Sequence, residues 1–423
     1  MQIQDLYTIY SQHPSIQTDT RKLQNGDLFF ALKGPNFNGN QFAKQALEAG
    51  AAHVIIDEPV NFEDTRLILV PDALQALQQL AKYHRNQFSI PFIAITGSNG
   101  KTTTKELVSE VLSGRYITYT TKGNLNNHIG VPLTILSIKK DAEMAVIEMG
   151  ANHQKEIEGY CQYTLPTHGI ITNIGKAHLE GFGGEDGVKK GKGELFDYLR
   201  ASGGTAFIMN DYDYLREMSN GIPVVKTYGT ANAEITGVAD TSAQFLAVKI
   251  TGGIALEKIT THLVGDYNLP NVLVAVAVGN HFNVPEDAIK AALENYTPSN
   301  SRSQLIEKDG NQVIVDAYNA NPTSMKAAIE NFAKMEGEKV LLLGGMMELG
   351  AESIAEHIDI VRLIDRFPWK SVVLVGGDFG KLDHPYLYFS DSLAAKDWLQ
   401  QQHFKGVKLL VKGSRSMQME NVL

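Results

Sequence analysis

The stretch FIAITGSNGKTTTKELVSEVL, residues 92–112, decides how this chain is read. Residues 92–96 have the length and apolar character of a buried strand, and 102–113 carries the spacing of a helix. Between them lies Gly97-Ser98-Asn99-Gly100-Lys101-Thr102-Thr103. Glycines let backbone N–H groups turn inward around phosphate oxygens, and the helix N-terminus that follows adds a dipole favouring an anion. In such a turn Lys101 reaches the β- and γ-phosphates of a nucleotide and the Thr102 hydroxyl holds Mg²⁺. The plainer alternative is a glycine turn that only links strand to helix, and the combination of strand, Gly-Lys-Thr and helix stands against it. Spacing narrows the class further. The general phosphate loop has a glycine five residues before the Gly-Lys pair, where this chain has Ile95, and the first glycine here is Gly97. This short form argues against a GTPase switch and against a nucleotide kinase.

Outward from the loop the α/β alternation continues. AVIEMG (145–150) and GIITNIG (169–175) are apolar runs ending in polar or glycine residues, as parallel strands do when their C-terminal ends line a site. Residues 233–263 alternate in an antiparallel manner, and YNLPNVLVAVAVGN (267–280) reads as a helix. Before Pro91, strands are expected at 28–34, 52–58 and 66–70, with helices at 40–49 and 76–85. From about 298, VIVDAY, KVLLLGG, SVVLVGG and VKLLVKG are separated by helical stretches, which describes a Rossmann-like parallel sheet. The expected fold class is α/β in three domains: a small α/β domain over 1–86, a central parallel-sheet ATP-binding domain over 87–297, and a Rossmann-like domain over 298–423. A length of 423 residues agrees with this at roughly 150 residues per domain.

Composition excludes several classes. With 43% hydrophobic and 20% charged residues the chain is neither disordered nor fibrous. A net charge of −9 without a basic tract makes the chain a poor candidate for a general nucleic-acid binder, while anionic ligands can still be held where positive groups gather locally. One cysteine, Cys161, rules out an internal disulfide and a cysteine-cluster metal site. The opening MQIQDLYTIYSQ lacks a secretory pattern, and no apolar run approaches the roughly 18–20 residues that cross a bilayer. A cytoplasmic monomer without membrane insertion is expected.

Beyond the loop, a series of blocks carries a family resemblance: TKGNLNNHIGVPLTIL (121–136), VIEMGAN (146–152), ITNIGKAHLEGFG (171–183), KGELF (192–196), SRSQ (301–304), DAYNANPTSM (316–325), LLGGMMELG (342–350) and VKGSRSM (411–417). Together with the loop they resemble the Mur ligase family, the ATP-dependent amide-forming enzymes of peptidoglycan precursor synthesis. KGNLNN, YNANP and KGSR are most similar to the branch that joins D-alanyl-D-alanine to a UDP-N-acetylmuramoyl tripeptide. The resemblance implies that the first domain holds the UDP-sugar end, the central domain ATP and Mg²⁺, and the third domain the dipeptide. A peptide carboxylate would be phosphorylated and the incoming amine would displace phosphate, leaving ADP. Both steps build negative charge on oxygen, so the site needs cations and fixed donors more than a nucleophile.

The resemblance also distributes roles. Glu148 alone is a solvated carboxylate at a strand end and His178 an ordinary polar residue; the family match makes both of them, with Thr102, ligands of Mg²⁺ or Mn²⁺. Lys192 matches the lysine that family members carry as a carbamate, an anion able to help fix a second Mg²⁺; alone it reads as an exposed lysine beside Lys189 and Lys190. Lys101, Lys192, His178 and Glu148 form the implied catalytic set. Asn268 and Asn271 match adenine contacts; capping of the helix by Asn268 is the plainer reading and could hold at the same time. Arg302 and Asp316 match contacts to ATP phosphate and ribose. Asn319 and Asn321 face the dipeptide or the phosphates, with a simple Asn-Pro turn as the competing reading. TDTRKLQNGDLFFALKGPNFNGNQF (18–42) is similar to the family's UDP-sugar region, which implies contacts from Thr20, Arg21, Lys33, Gly34 and Gly39. Asn126 and Asn127 are implied to reach across from the central domain. The same glycines are also ordinary turn signals.

Four positions depart from the family pattern: Asn40 for His, His128 for Glu, Lys155 for a frequent Gly, and Gly345 for Asp. Within the superfamily, a ligase adding the third amino acid or a folylpolyglutamate synthase is the nearest rival, and YNANP speaks against both. From another class, an NTP-driven switch or partner-binding ATPase is opposed by the short loop and the third Rossmann-like unit.

Overall fold

In the computed structural model, which describes residues 2–240, 245–299 and 301–423, three main sheets follow one another along the chain. The first has four parallel strands in the order Ile16–Gln17, Leu28–Phe30, His53–Ile56, Leu67–Leu69. Phe29, Val54 and Ile56 pack on Ala43, Ala46 and Leu47 on one face. On the other, Leu28, Phe30 and Ile55 meet Leu77 and Leu80 in a core continuous with that of the central domain. The strand expected over 28–34 is interrupted: Lys33–Gly34 pairs instead with Phe37–Asn38 in a separate hairpin. Gly39 closes that hairpin by donating to the Leu32 carbonyl at 2.9 Å, an approach so close that a Cβ there would lie 2.4 Å from the same oxygen. The helix expected over 40–49 opens as a 3₁₀ turn, Gly39–Phe42, before Ala43–Glu48. The next helix begins earlier than the apolar pattern implies, at Ala73, because Asp72 caps it by accepting from the Gln75 N–H.

That helix, Ala73–Arg85, ends in a side chain that fastens the first domain to the second. The Arg85 guanidinium donates to the carbonyls of Thr164 (2.9 Å), Leu165 (3.0 Å) and Phe88 (2.8 Å), and lies 3.8 Å from the centre of the Phe92 ring. Burial pushes its pKa down to about 10.

The central sheet has nine strands in the order Lys258–Thr260, Ala247–Gly252, Ile235–Asp240, Val224–Gly229, Thr205–Met209, His168–Ile171, Phe92–Thr96, Met144–Glu148, Thr118–Thr120. All neighbours are parallel except at the Ala247–Gly252 strand, which is antiparallel to both of its partners. Phe92–Thr96 and Met144–Glu148 are buried along their whole length, as parallel strands covered on both faces must be. After Met144–Glu148 the chain crosses to the opposite side of Phe92–Thr96, so the C-terminal ends of these strands and of His168–Ile171 open onto a topological switch point. The strand expected over 169–175 stops at Ile171, and Thr172–Gly175 leaves the sheet. The antiparallel reading of 233–263 holds for Ile235–Asp240 against Ala247–Gly252, while Ile235–Asp240 pairs in parallel with Val224–Gly229; residues 241–244 lie outside the described residues. The helix expected from 267 starts at Leu269 with Pro270 in its first turn, after a 3₁₀ turn at Asp266–Asn268.

The third sheet runs Gln304–Lys308, Asn311–Asp316, Lys408–Lys412, Lys339–Gly344, Ser371–Val375, Leu387–Phe389. Four of these strands match the apolar runs; the two edge strands are additional, and their partly exposed residues supply no continuous apolar run. Lys408–Lys412 comes last in the chain yet inserts between Asn311–Asp316 and Lys339–Gly344, so Asp316, Lys412 and Gly344 end side by side. Among the described residues no helix is long and apolar enough to cross a membrane.

Candidate active site

The switch points of the central and third sheets face one another across a cleft of about 940 Å³. Its walls include Ser98–Thr103, Glu148, His178, Asn268 and Asn271 from the central domain and Arg302, Asp316, Asn321, Glu348 and Lys412 from the third.

The phosphate loop is interlocked with the segment 172–175. Gly97 (φ +139°) and Gly100 (φ +78°) hold backbone conformations that L side chains rarely adopt, and a Cβ at Gly97 would lie 2.0 Å from Thr172 Oγ1. Residues 172–175, which were expected to be strand, supply the loop's partners. Ser98 N–H donates to the Asn173 carbonyl at 2.9 Å, and Asn99 N–H donates to Asn173 Oδ1 at 3.0 Å. The Asn99 carbonyl accepts from Thr172 Oγ1 (2.6 Å) and Asn173 Nδ2 (3.1 Å). Lys101 folds back to donate to the carbonyls of Gly97 (2.8 Å) and Ser98 (3.2 Å). Burial lowers its pKa, opposed by Glu148 and reinforced by Arg302.

Beside the loop, Glu148 is buried at the end of its strand. Its Oε1 accepts from Thr102 Oγ1 at 3.1 Å and from Asn126 Nδ2 at 2.7 Å, while Oε2 is buried with no hydrogen-bond partner among the described residues. An orphaned carboxylate oxygen next to a hydroxyl fits a hard divalent cation, and these oxygen donors suit Mg²⁺. No cluster of three or more His, Cys, Asp or Glu side chains among the described residues could hold a metal by itself. His178 is turned toward the third domain, with its Nδ1 2.5 Å from Glu348 Oε2.

Lys192 is not the exposed lysine that its neighbours Lys189 and Lys190 suggest: it is 1% exposed, donates to the Ala151 carbonyl at 2.8 Å and lies 4.9 Å from the Phe182 ring centre. Burial drives its pKa well below the usual lysine value, and Lys101 adds to the fall.

At the far end of the cleft Asn268 and Asn271 are both buried and bonded to each other at 2.9 Å. Asn268 makes no side-chain cap bond to its helix; its Nδ2 donates to the Val264 carbonyl instead, so the capping alternative is set aside. Arg302 stacks 3.5 Å from the centre of the Tyr318 ring. Asp316 accepts from Lys412 Nζ at 2.5 Å and from Ser303 N–H at 3.2 Å. Asn321 serves two purposes. Its Oδ1 caps the helix Pro322–Ala333, and its Nδ2 donates across the cleft to Asn99 Oδ1 at 2.8 Å. Asn319 is exposed on the third-domain wall.

The N-terminal block is arranged differently. Arg21 is exposed and paired with Asp19, and Lys33 pairs with Asp57 and Glu58, each at 3.2 Å. Gly34 and Gly39 belong to the small hairpin and its closing turn, and Thr20 opens a 3₁₀ turn. A second cavity, about 280 Å³, lies between this block and the central domain, lined by Ile16, Gln17, Thr18, Asp19 and Lys22 on one side and Leu125, Leu133, Leu136 and Ser137 on the other. Asn126 does not face this cavity but holds Glu148, and Asn127 Oδ1 accepts from the N–H groups of Ile129 and Gly130.

The departures find local explanations. Lys155 has φ +72°, a conformation that glycine would adopt more easily, and its N–H is held by Glu194 at 2.6 Å. Gly345 meets Gly377 so closely that a Cβ would lie 2.7 Å from the Gly377 Cα. Asn40 is tied to Asn38 and Asp57, and the carbonyl of the exposed His128 accepts from Gln78. Residues overlooked in the sequence reading are Thr172, Asn173, Tyr318, Glu348 and Lys412. All five lie inside the quoted family blocks, and Lys412 closes an apolar run, but only the sheet order sets it beside Asp316.

Three family profiles match in series: Mur ligase family, catalytic domain over 14–85; Mur ligase middle domain over 95–279; and Mur ligase, glutamate ligase domain over 301–414. The chain belongs to the Mur ligase family. Its relatives include the UDP-N-acetylmuramoyl-tripeptide–D-alanyl-D-alanine ligases of Bacillus subtilis (37% identical over 96% of this chain and 92% of the relative) and of Escherichia coli (37%, 97% and 92%). Among solved structures, MurF from Acinetobacter baumannii superposes with a TM-score of 0.88 at 32% identity over 96% of this chain and 92% of that one. MurF ligase from Thermotoga maritima in complex with ADP gives a TM-score of 0.88 at 25% identity, covering 97% and 96%. The three-domain α/β class agrees with these structures.

Proposed function

We propose that this chain joins D-alanyl-D-alanine to a UDP-N-acetylmuramoyl tripeptide in peptidoglycan precursor synthesis, with ATP converted to ADP and phosphate. The observation that carries the reading is the single cleft in which the phosphate loop faces the DAYNANP block, bridged by Asn99 and Asn321. Lys101 exchanges its two loop carbonyls for phosphate oxygens, where a cation offsets the charge that grows as the γ-phosphoryl passes to the tripeptide carboxylate. Thr102 and Glu148 would hold Mg²⁺, which supplies further neutralisation of phosphate charge when bound. Asn268 and Asn271 take the adenine, Arg302 and Asp316 the phosphate and ribose, and Asn319 the dipeptide side. The second cavity, between the first and central domains, supports placing the UDP-sugar there. Domain closure excludes water from the acyl phosphate until the amine arrives.

Lys192 acts as a carbamate in this reading. Its amine is buried and its pKa lowered, which favours the neutral form that adds CO₂: the nitrogen lone pair bonds to carbon, a proton is released, and the product is an anion within the field of Lys101. The protein works as a monomer on soluble cytoplasmic precursors. ADP release measured across a matrix of UDP-sugar peptides and amine acceptors tests the function. D-alanyl-D-alanine with the tripeptide substrate stimulates release, and single amino acids do not. AMP and pyrophosphate as products would refute the acyl-phosphate route, and productive pairing of a diamino acid with a UDP-sugar dipeptide would reassign the branch.

A further inference from the structure

His178 and Glu348 meet across the cleft from different domains, and both are non-glycine residues in the left-handed backbone region, with φ +54° and φ +61°. Conformations of this kind persist only where the surroundings enforce them, and they gather at functional sites. The surroundings of Glu348 do enforce it. Within its loop, Gly345 N–H donates to the Val375 carbonyl (2.9 Å), Met346 N–H to His357 Nε2 (3.0 Å) and Met347 N–H to Ser414 Oγ (3.0 Å). His357 is fully buried, and its Nδ1 is committed to the Ser353 carbonyl at 2.7 Å, which leaves Nε2 as the acceptor for Met346. The loop therefore presents Glu348 from a tethered base.

Two contacts then join this loop to the segment that carries His178. The Glu348 carboxylate takes the His178 Nδ1 side of the ring at 2.5 Å, and the Glu348 carbonyl accepts from the Glu180 N–H at 3.3 Å. Gly350 fits directly against Glu180, where a Cβ would come within 3.3 Å of the Glu180 Cβ. The Glu348 side chain is 51% exposed, and a surface ion pair of that kind contributes too little to justify two strained residues. Its geometry makes sense as orientation: the carboxylate stands against Nδ1 as an ion-pair contact without the alignment of a hydrogen bond, and so fixes which edge of the ring faces the third domain.

We propose that Glu348 is a positioning residue for the ligation reaction, setting the His178 imidazole in the cleft when the third domain closes on the central one. The inference rests on the ligase reading given above. The test compares Glu348→Gln, Glu348→Asp and Glu348→Gly by steady-state kinetics and thermal melting, with Glu356→Gln as control, because Glu356 forms another cross-domain ion pair, to Lys176 at 2.6 Å. Glu348→Gln lowers kcat by about 10–100-fold, the usual loss when the partner of a functional imidazole is removed, and leaves the KM for ATP nearly unchanged. Glu348→Asp recovers part of that loss. Glu348→Gly, which suits a positive φ, keeps or raises Tm while losing as much kcat as the Gln variant, a split that a merely structural role does not produce. The proposal is overturned if the Gln and Gly variants turn over like wild type, if Asp and Gln lose equally, or if Glu356→Gln loses as much as Glu348→Gln. Failure of the ligase reading shows separately, as absence of dipeptide-stimulated ADP release in the unmodified protein.

Discussion

The phosphate loop and the N-terminal block 18–42 are both rich in glycine and cations, yet they are built in different ways. In the loop, two glycines occupy positive φ, and the partners of the backbone come from residues more than seventy positions away. In the block, Arg21 chelates Asp19 two residues upstream and holds it down to about 2, and Lys33 sits between two adjacent carboxylates. A backbone-built site keeps its shape without ligand. A cation on a surface loop takes the nearest carboxylate, so its free-state partner says little about the ligand it will meet.

Substitutions can break or sharpen this contrast. The largest effect falls on the loop: Lys101→Ala folds with a near-normal Tm and loses on the order of 10²-fold or more in kcat, as when a single preorganised donor is removed from developing negative charge. Near-normal turnover in the folded variant would end the phosphate-loop assignment. Lys192→Ala comes next, losing most activity, with partial rescue by acetate or formate and none by methylamine; rescue by amines alone would sink the carbamate. The same lysine has a stability signature. In CO₂-free buffer, where the amine is unmodified, its folded pKa lies below the ordinary 10.5, so between the two values the unfolded chain binds the extra proton, and stability climbs as pH rises toward 10.5. Denaturant melts of Lys192→Met should lack that climb. The smallest effect is expected in the N-terminal block, where Arg21→Ala raises the KM for the UDP-sugar substrate about tenfold, the value of one charge-assisted contact, with kcat and Tm unchanged. An unaltered KM would leave the Arg21–Asp19 pair as a local ornament of the turn.

What could be read from residues alone follows the same division. Phe92–Thr96, the turn and Lys101–Ser113 were legible because apolar periodicity and obligatory glycines are local properties. The apolar cores of the third-domain strands were legible for the same reason. The ends of elements were not, since Asp72 moves one helix start and the grip on the loop pulls Thr172–Gly175 out of its strand. Glu148 and Thr102 meet because the sheet order sets the strand of Glu148 beside the strand that leads into the helix of Thr102, a fact no spacing along the chain encodes. Glu348 and Lys412 escaped notice because their partners, His178 and Asp316, lie on other elements, the first of them in another domain. Lys192 is the sharpest case: its sequence neighbours are solvated lysines, and only the turn of the helix Glu185–Ser202 that carries it decides that it alone points inward.

Arg85 has a mechanical consequence. Two of its carbonyl acceptors, on Thr164 and Leu165, terminate a helix of the central domain, and its flat face rests on the first residue of the loop strand. A lever hinged there would have to strip a low-dielectric cation of every acceptor at once. Arg85 therefore ties the first two domains together through buried polar contacts, while the chain enters the third domain through Ser301 and Ser303, which carry positive φ on either side of Arg302.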